Sequence, residues 1–240
     1  MGITAPEDEL LLPGGVVLER ADFSGRRLRY VSIGCGSRLV ECDFSGTRMM
    51  GGGLGDGFEP TEYIRCVFDG CHLKNVFPGR ASFVDCSFRN VRLETFLCKD
   101  AEFINCVFSG LLRKVIFSGT PSSTEKLGRV RNVYRGNDFT EAKLEDVTFQ
   151  GGIDLDSQRL PTSDDYLVVR HAAEVLAYVR RQVQQWPEHD LREDADTTLW
   201  VLDTICQTGQ RDLFIRRSRL GRMTETVDRL ARLLTGRPEL

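Results

Sequence analysis

Eight cysteines, three histidines and one cluster of basic side chains are the residues of this 240-residue sequence that could carry chemistry. Paired cysteines at CxxC spacing would point to zinc or to a redox couple, but no such pair occurs. Instead Cys42, Cys66, Cys71, Cys86 and Cys106 each stand two residues before a large apolar residue. The shared slot reads as a small, soft hydrophobe filling a narrow interior. Four parallel thiols in a file, Cys42, Cys66, Cys86 and Cys106, could neither close a tetrahedral zinc site nor reach bridge geometry without leaving a core. His72 falls at an outward position, His171 within a helical apolar pattern and His189 in a turn after Trp-Pro-Glu, none at metal or triad spacing with a partner. With no dinucleotide fingerprint, P-loop or nucleophile elbow, the chain is expected to be no enzyme and to hold no cofactor or metal.

The basic cluster is different. Between residues 112 and 137 stand Arg113, Lys114, Lys126, Arg129, Arg131 and Arg135 against the single acid Glu125, on a chain of net charge -3. Such a segment is either a solvated loop or a contact surface for an acidic protein partner, and these six residues are the candidate partner-binding set.

The elements that must position them follow a period of five. Leu18, Phe23, Leu28 and Ile33 begin it, Leu39, Phe44, Met49 and Leu54 continue it, and it resumes as Tyr63, Phe68 and Leu73. Phe83, Phe88, Leu93, Phe103 and Phe108 follow, and Phe139, Leu144 and Phe149 close it. Neither a helix nor a strand has that period. A longer rhythm runs through it: Phe23, Phe44, Phe68, Phe88, Phe108 and Phe139 recur at a base spacing of 20, so the six rings should stack in one column. Each is followed five residues later by Leu or Met except Phe108, where the register is lost. Glycine after DFS at Gly25 and Gly46 suits a turn residue with positive φ.

With a small residue two before each centre, this pattern resembles the pentapeptide-repeat family over roughly residues 16–151. The resemblance implies a mainly β fold: a right-handed quadrilateral β-helix, four pentapeptides to a square coil. It also implies a choice of partner. One branch of that family mimics DNA and binds type II topoisomerases such as DNA gyrase, giving antibiotic resistance, and family members often dimerise through the C-terminal end. Residues 1–152, however, hold 19 basic and 20 acidic side chains with acids and bases alternating, whereas a DNA mimic needs a phosphate-like negative face. A rigid scaffold for a protein partner is therefore the preferred reading, and topoisomerase binding the alternative.

Three segments are expected: a lead-in at 1–15, the β-helix at 16–152 with insertions near 51–62 and 112–137, and a C-terminal α-helical module at 153–240. Helices are expected in the module from just after Ser163 through the run ending at Trp186, from Asp194 to Gln207, and between Arg211 and Leu234. No basic region precedes an apolar run at the start and no stretch approaches the length of a membrane span, so a cytoplasmic location is expected. The near-neutral charge disfavours nucleic acid as a direct partner.

Overall fold

The computed structural model describes residues 7–122 and 128–236, three α-helices among them, in two compact units: 1–147 with 156–161, and 148–155 with 162–240. The units alternate along the chain around residue 150, where the sequence suggests a single boundary.

The first unit is a parallel β-solenoid whose coils have four sides. Side one is a six-stranded parallel ladder from Val17–Glu19 through Arg38–Val40, Thr61–Ile64, Ala81–Val84 and Glu102–Ile104 to Tyr134–Arg135. Side two is held by the parallel bridges Asp22 to Asp43, Asp43 to Val67 and Val67 to Ser87. Side three stacks Arg27–Leu28, Arg48–Met49 and His72–Lys74 on the middle of the long strands Ser87–Cys98, Val107–Ser118 and Asp138–Gln150. Side four joins Glu9–Leu12, Tyr30–Gly34, Gly52–Asp56 and Val76–Phe77, and continues where Phe96–Cys98 faces Val115–Phe117.

Side chains alternate in and out along each strand, so the fives place every centre inside. The six phenylalanines do form one column: Phe23, Phe44, Phe68, Phe88, Phe108 and Phe139 stack at 4.6 to 4.9 Å with ring planes 2° to 17° apart. Tyr63, Phe83 and Phe103 make a second column on side one, at 4.7 and 4.8 Å, and meet the first edge to face at 5.6 to 6.1 Å. After Phe108 the coil is one residue short, because Val91 lies opposite Gly110 where Phe88 lies opposite Phe108. Leu112 then sits opposite Leu93, so the register that the spacing loses is regained within one strand.

The cysteine slot is a hydrogen-bonding column as well as a packing one. The thiols of Cys66, Cys86 and Cys106 point to the carbonyls of Leu39, Tyr63 and Phe83, each one coil back, at 3.4 Å. Asn137 and Gln158 continue the file: their amides donate to the carbonyls of Phe103 and Tyr134 at 2.8 and 2.9 Å, and Asn137 also donates to Gln158. All eight cysteines are free. Cys66 is pushed far up in pKa by its contact with the Cys86 thiol and by burial, and burial raises Cys42, Cys86 and Cys98 as well and takes Cys71 to about 12.

The glycine-rich stretch after Met50 is in part a strand of side four. At Gly52, with φ +114°, a Cβ would fall 1.8 Å from the Val31 carbonyl oxygen, so the backbones approach closely only without a side chain. Residues 57–60 form no strand, although the Glu59 carbonyl still accepts from the Gly36 amide one coil back, and the Arg80 guanidinium lies 5.3 Å over the exposed Phe58 ring.

The second unit contains β structure that helical periodicity alone misses. Tyr166–Val169 is a strand, antiparallel to Leu213–Arg216, and the first helix starts only at Ala172, after His171 turns the chain at φ 50°. The run Tyr-Leu-Val-Val is β-favouring, and its partner Leu-Phe-Ile-Arg lies in the segment expected to be helical. The helices Ala172–Val183, His189–Gln207 and Thr224–Thr235 pack Leu176, Val179, Leu199, Leu230 and Leu234 into one core. Buried Gln210 clamps Gly152 and Ile153 by accepting from both amides and donating to the Ile153 carbonyl. No helix of the described residues is long and apolar enough to cross a membrane.

Three outcomes follow from this packing. Phe88→Ala removes a ring from mid-column and should cost about 3 to 5 kcal/mol in a chemical melt, since hydrogen-bonded coils cannot collapse into the cavity; a loss under about 1 kcal/mol would place the ring outside the core. Cys42, Cys66, Cys86 and Cys106 should resist thiol labelling without denaturant, and rapid labelling of all four would contradict their burial. In the second unit, burial opposes ionisation of Asp212, yet bonds from Arg211, the His171 amide and Arg170 overcome it and hold the carboxyl at about 2. Its stabilising effect is therefore complete above the unfolded pKa of about 4 and is lost as pH falls toward 2. Asp212→Asn should lower stability at pH 7 by about 2 kcal/mol and flatten that acid limb, and an unchanged pH profile would remove the assignment.

Candidate interaction surface

Each side of a coil carries outward residues before and after its inward centre. Because the coils pair in register, every outward position becomes a file running along the solenoid. On side three, Arg27 lies opposite Arg48, Arg48 opposite His72, and His72 opposite Arg92. The file beyond the centre holds Arg29, Met50, Lys74, Glu94 and Arg113 on successive coils. Side two is mostly acidic: Asp22, Asp43, Asp69 and Asp138 stand out from it, with Arg89 and Arg159, which pairs with Asp138 at 2.9 Å, as its cations among the described residues. On sides two and three like charges thus gather, while side one and its corner keep the alternation, as Arg38 with Glu62 and Arg20, Glu41 and Arg65 show. The rod is balanced in total, as expected from the order of residues, and charge gathers only locally.

Like charges one coil apart repel, and the third side relieves this only in part. Arg48 Nε donates to His72 Nδ1 at 3.3 Å, while Nε2 of the same ring stands 3.4 Å from Glu94. Burial holds His72 below its ordinary pKa; Glu94 pulls the other way, and Arg48 and Arg92 add to the lowering. A neutral imidazole accepting from Arg48 fits that balance. Glu94 is paired with Arg92, which keeps its carboxyl low. Lower on the side, Glu145 lies 2.9 Å from both Lys143 and Arg113, which bring it to about 2. Arg27, Arg48 and Lys74 have no carboxylate at ion-pair distance among the described residues.

Along the edge between sides two and three runs a shallow groove of about 300 Å³, lined by Gly25, Gly46 and Gly70 with Arg27, Arg48 and His72. The three glycines have φ of +65° to +70°, and a Cβ on Gly25 would meet nothing within 4 Å. Their missing side chains leave the groove open.

Of the six residues singled out as a basic contact set, the five described are not brought together. Arg113 and Lys114 belong to the side-three ladder, whereas Arg135 lies on side one. Arg129 is occupied in anchoring: it pairs with Glu102 at 3.0 Å and donates to Asn132 Oδ1 and the Asp100 carbonyl. Asn132 adds bonds to the carbonyls of Lys99 and Ser118, and Ser122 binds the Asp100 carboxylate, so the base of the insertion is fastened to the coil edge. Arg131 and Arg135 are exposed, and Lys126 lies outside the described residues. The cations of side three escaped notice in the sequence because they are some twenty residues apart. Grouping outward residues by position within successive coils would have found them.

No protein-family model matches the chain, and no curated protein matches it in sequence. Among solved structures, full-length QnrB1, described as a plasmid-mediated fluoroquinolone resistance protein, is similar at 16% identity and a TM-score of 0.23, covering 61% of this chain and 80% of that one. A trypsin-treated variant of the same protein is similar at 17% identity and a TM-score of 0.24, covering 62% and 78%. Scores this low leave the architecture to rest on the ladders and rings of the chain itself. Five-residue rhythm, four-sided parallel coils, inward centres and small inward corner residues together make the first unit a pentapeptide-repeat solenoid in architecture.

Proposed function

We propose that this chain is a non-enzymatic scaffold that presents ordered side chains to a protein partner. The observation that carries the proposal is the sorting of charge into files on a lattice whose core residues are almost completely buried. A rigid surface loses little conformational freedom on association, and that favours recognition by fixed pattern. Among the described residues, Arg131 of the insertion and Arg135 on the side-one strand that follows it are exposed cations, while Arg129 holds the insertion's base. DNA mimicry toward a topoisomerase needs a continuous negative face; side two offers Asp22 and Asp43 but then Val67, Ser87 and Val107 in the same file, and side three is cationic.

The test is photo-crosslinking in the native host from residues placed at 131 and 135, and separately from Ser24 and Ser45 on side two, with gyrase subunits probed by name. The scaffold reading expects a discrete protein adduct from positions 131 and 135, weakened several-fold when the remaining cation of that pair is made neutral. Gyrase adducts from the acidic side, with none from 131 and 135, would replace this reading by the topoisomerase one.

A further inference from the structure

The geometry points to side three as the docking surface for an extended, acidic protein segment that carries one apolar anchor residue. This inference rests on the scaffold reading and names the surface and the chemistry of the partner.

Three observations carry it. First, the basic residues are arranged as a track. Arg27, Arg48, His72 and Arg92 stand one per coil, spaced by the roughly 4.8 Å of paired strands, beside the glycine-floored groove that leaves room for a chain running along the axis. Second, an apolar side chain sits among them. Met50 is 39% exposed, flanked by Arg48 and lying between Arg29 and Lys74 in the neighbouring file. A flexible thioether ringed by guanidinium and ammonium groups is the composition of an interface centre, where methionine and arginine are enriched. A nucleic acid would have no use for it, and no aromatic platform for bases accompanies the track: on this stretch only Tyr30 is an exposed ring, at the far edge. Third, an arginine of the neighbouring file already takes a pair of carboxylates: from the preceding coil, beside the strand Glu9–Leu12 that pairs with Tyr30–Gly34, Asp8 reaches Arg29 Nε at 3.2 Å and Glu9 meets the same guanidinium.

The track is also narrow. Two outward files lie about 7 Å apart, the width of one extended strand, and far less than the roughly 12 Å opening between the backbones of a DNA major groove. A single chain can meet Arg27 and Arg48 with carboxylates along one edge while, along the other, an apolar side chain covers Met50 and a carboxylate reaches Lys74.

Fluorescence anisotropy with the full chain tests this, using a labelled peptide of about eight Asp and Glu residues with one central Leu, long enough at roughly 3.3 Å per residue to span the rungs. Comparison probes are the same peptide without Leu and a duplex DNA of about 20 base pairs. The expected result is binding of the anchored peptide that weakens as salt rises from about 50 to about 300 mM. Arg48→Glu with Lys74→Glu should weaken it on the order of tenfold or more. Met50→Ala should weaken the anchored peptide several-fold and leave the other unchanged. A thermal melt confirms that each variant folds, and Arg48→Gln with Lys74→Gln replaces the charge reversal if that one does not.

No binding by the parent chain, equal affinity with and without Leu, or indifference to the Arg48 and Lys74 changes overturns the inference. Duplex DNA bound more tightly than the peptide, and lost in the same variants, makes the surface one for nucleic acid instead. Crosslinking from positions 131 and 135 does not pass through this side. Peptide failure with those adducts intact removes side three and leaves the scaffold; loss of both removes the scaffold reading too.

Discussion

Backbone hydrogen bonding between successive coils fixes the rise of this solenoid, and everything else in the first unit is set by that one distance. Parallel strands pair at about 4.8 Å. The phenylalanine rings repeat at 4.6 to 4.9 Å, so their nearly parallel order is imposed by the backbone rather than chosen by ring electrostatics. The same rise brings charges of side three close together and forces Arg48 to find His72 as an acceptor. It also lets aromatic residues fill the core, since Phe44, Phe68, Phe88 and Phe108 each have a phenylalanine stacked above and below.

A square coil needs corners, and corners need left-handed residues. Arg20, Glu41, Arg65, Asp85 and Asn105 hold φ of 52° to 55° at one edge, although none is glycine. A left-handed L-residue costs roughly 1 to 2 kcal/mol. At this edge each corner amide donates to the coil that follows, Arg20 to the Val40 carbonyl and Glu41 to that of Ile64 among them, so the turn is held by the ladder it interrupts. Inward corner side chains are therefore small and preferably donors, as Thr47 and Thr61 show by binding carbonyls of the preceding coil. Cysteine is small but a weak donor. Asparagine and glutamine are larger and donate strongly, and Asn137 and Gln158 take over the column at its far end.

How much could be read beforehand divides along that line. Whatever is repeated by the lattice was legible: the phenylalanine column from its spacing, the buried thiols from their slot. The one-residue shortening at Gly110 showed as lost register, and its repair by Leu112 needed the partner strand to be seen. Side three was invisible because its meaning lies between coils; Arg27 and Arg48 are neighbours only after folding. Arg129 looked available and is an anchor, since its acceptors Glu102 and Asp100 stand nearly thirty positions away. In the second unit, Tyr166–Val169 satisfied a helical period by accident, and only pairing with Leu213–Arg216 decides that it is a strand.

The two interruptions of the lattice share an address. Residues 57–60 leave after the side-four strand Gly52–Asp56 and return at Thr61 on side one, and the later insertion leaves after Ser118 on side four and returns at Tyr134 on side one. Both open the same edge of the square, three coils apart, or about 14 Å. That edge behaves as a hinge post on which extra chain can be hung without altering what the other edges display. For an engineer it is a natural mount for grafted peptides, two of which would stand at a known separation on a frame whose third side faces elsewhere.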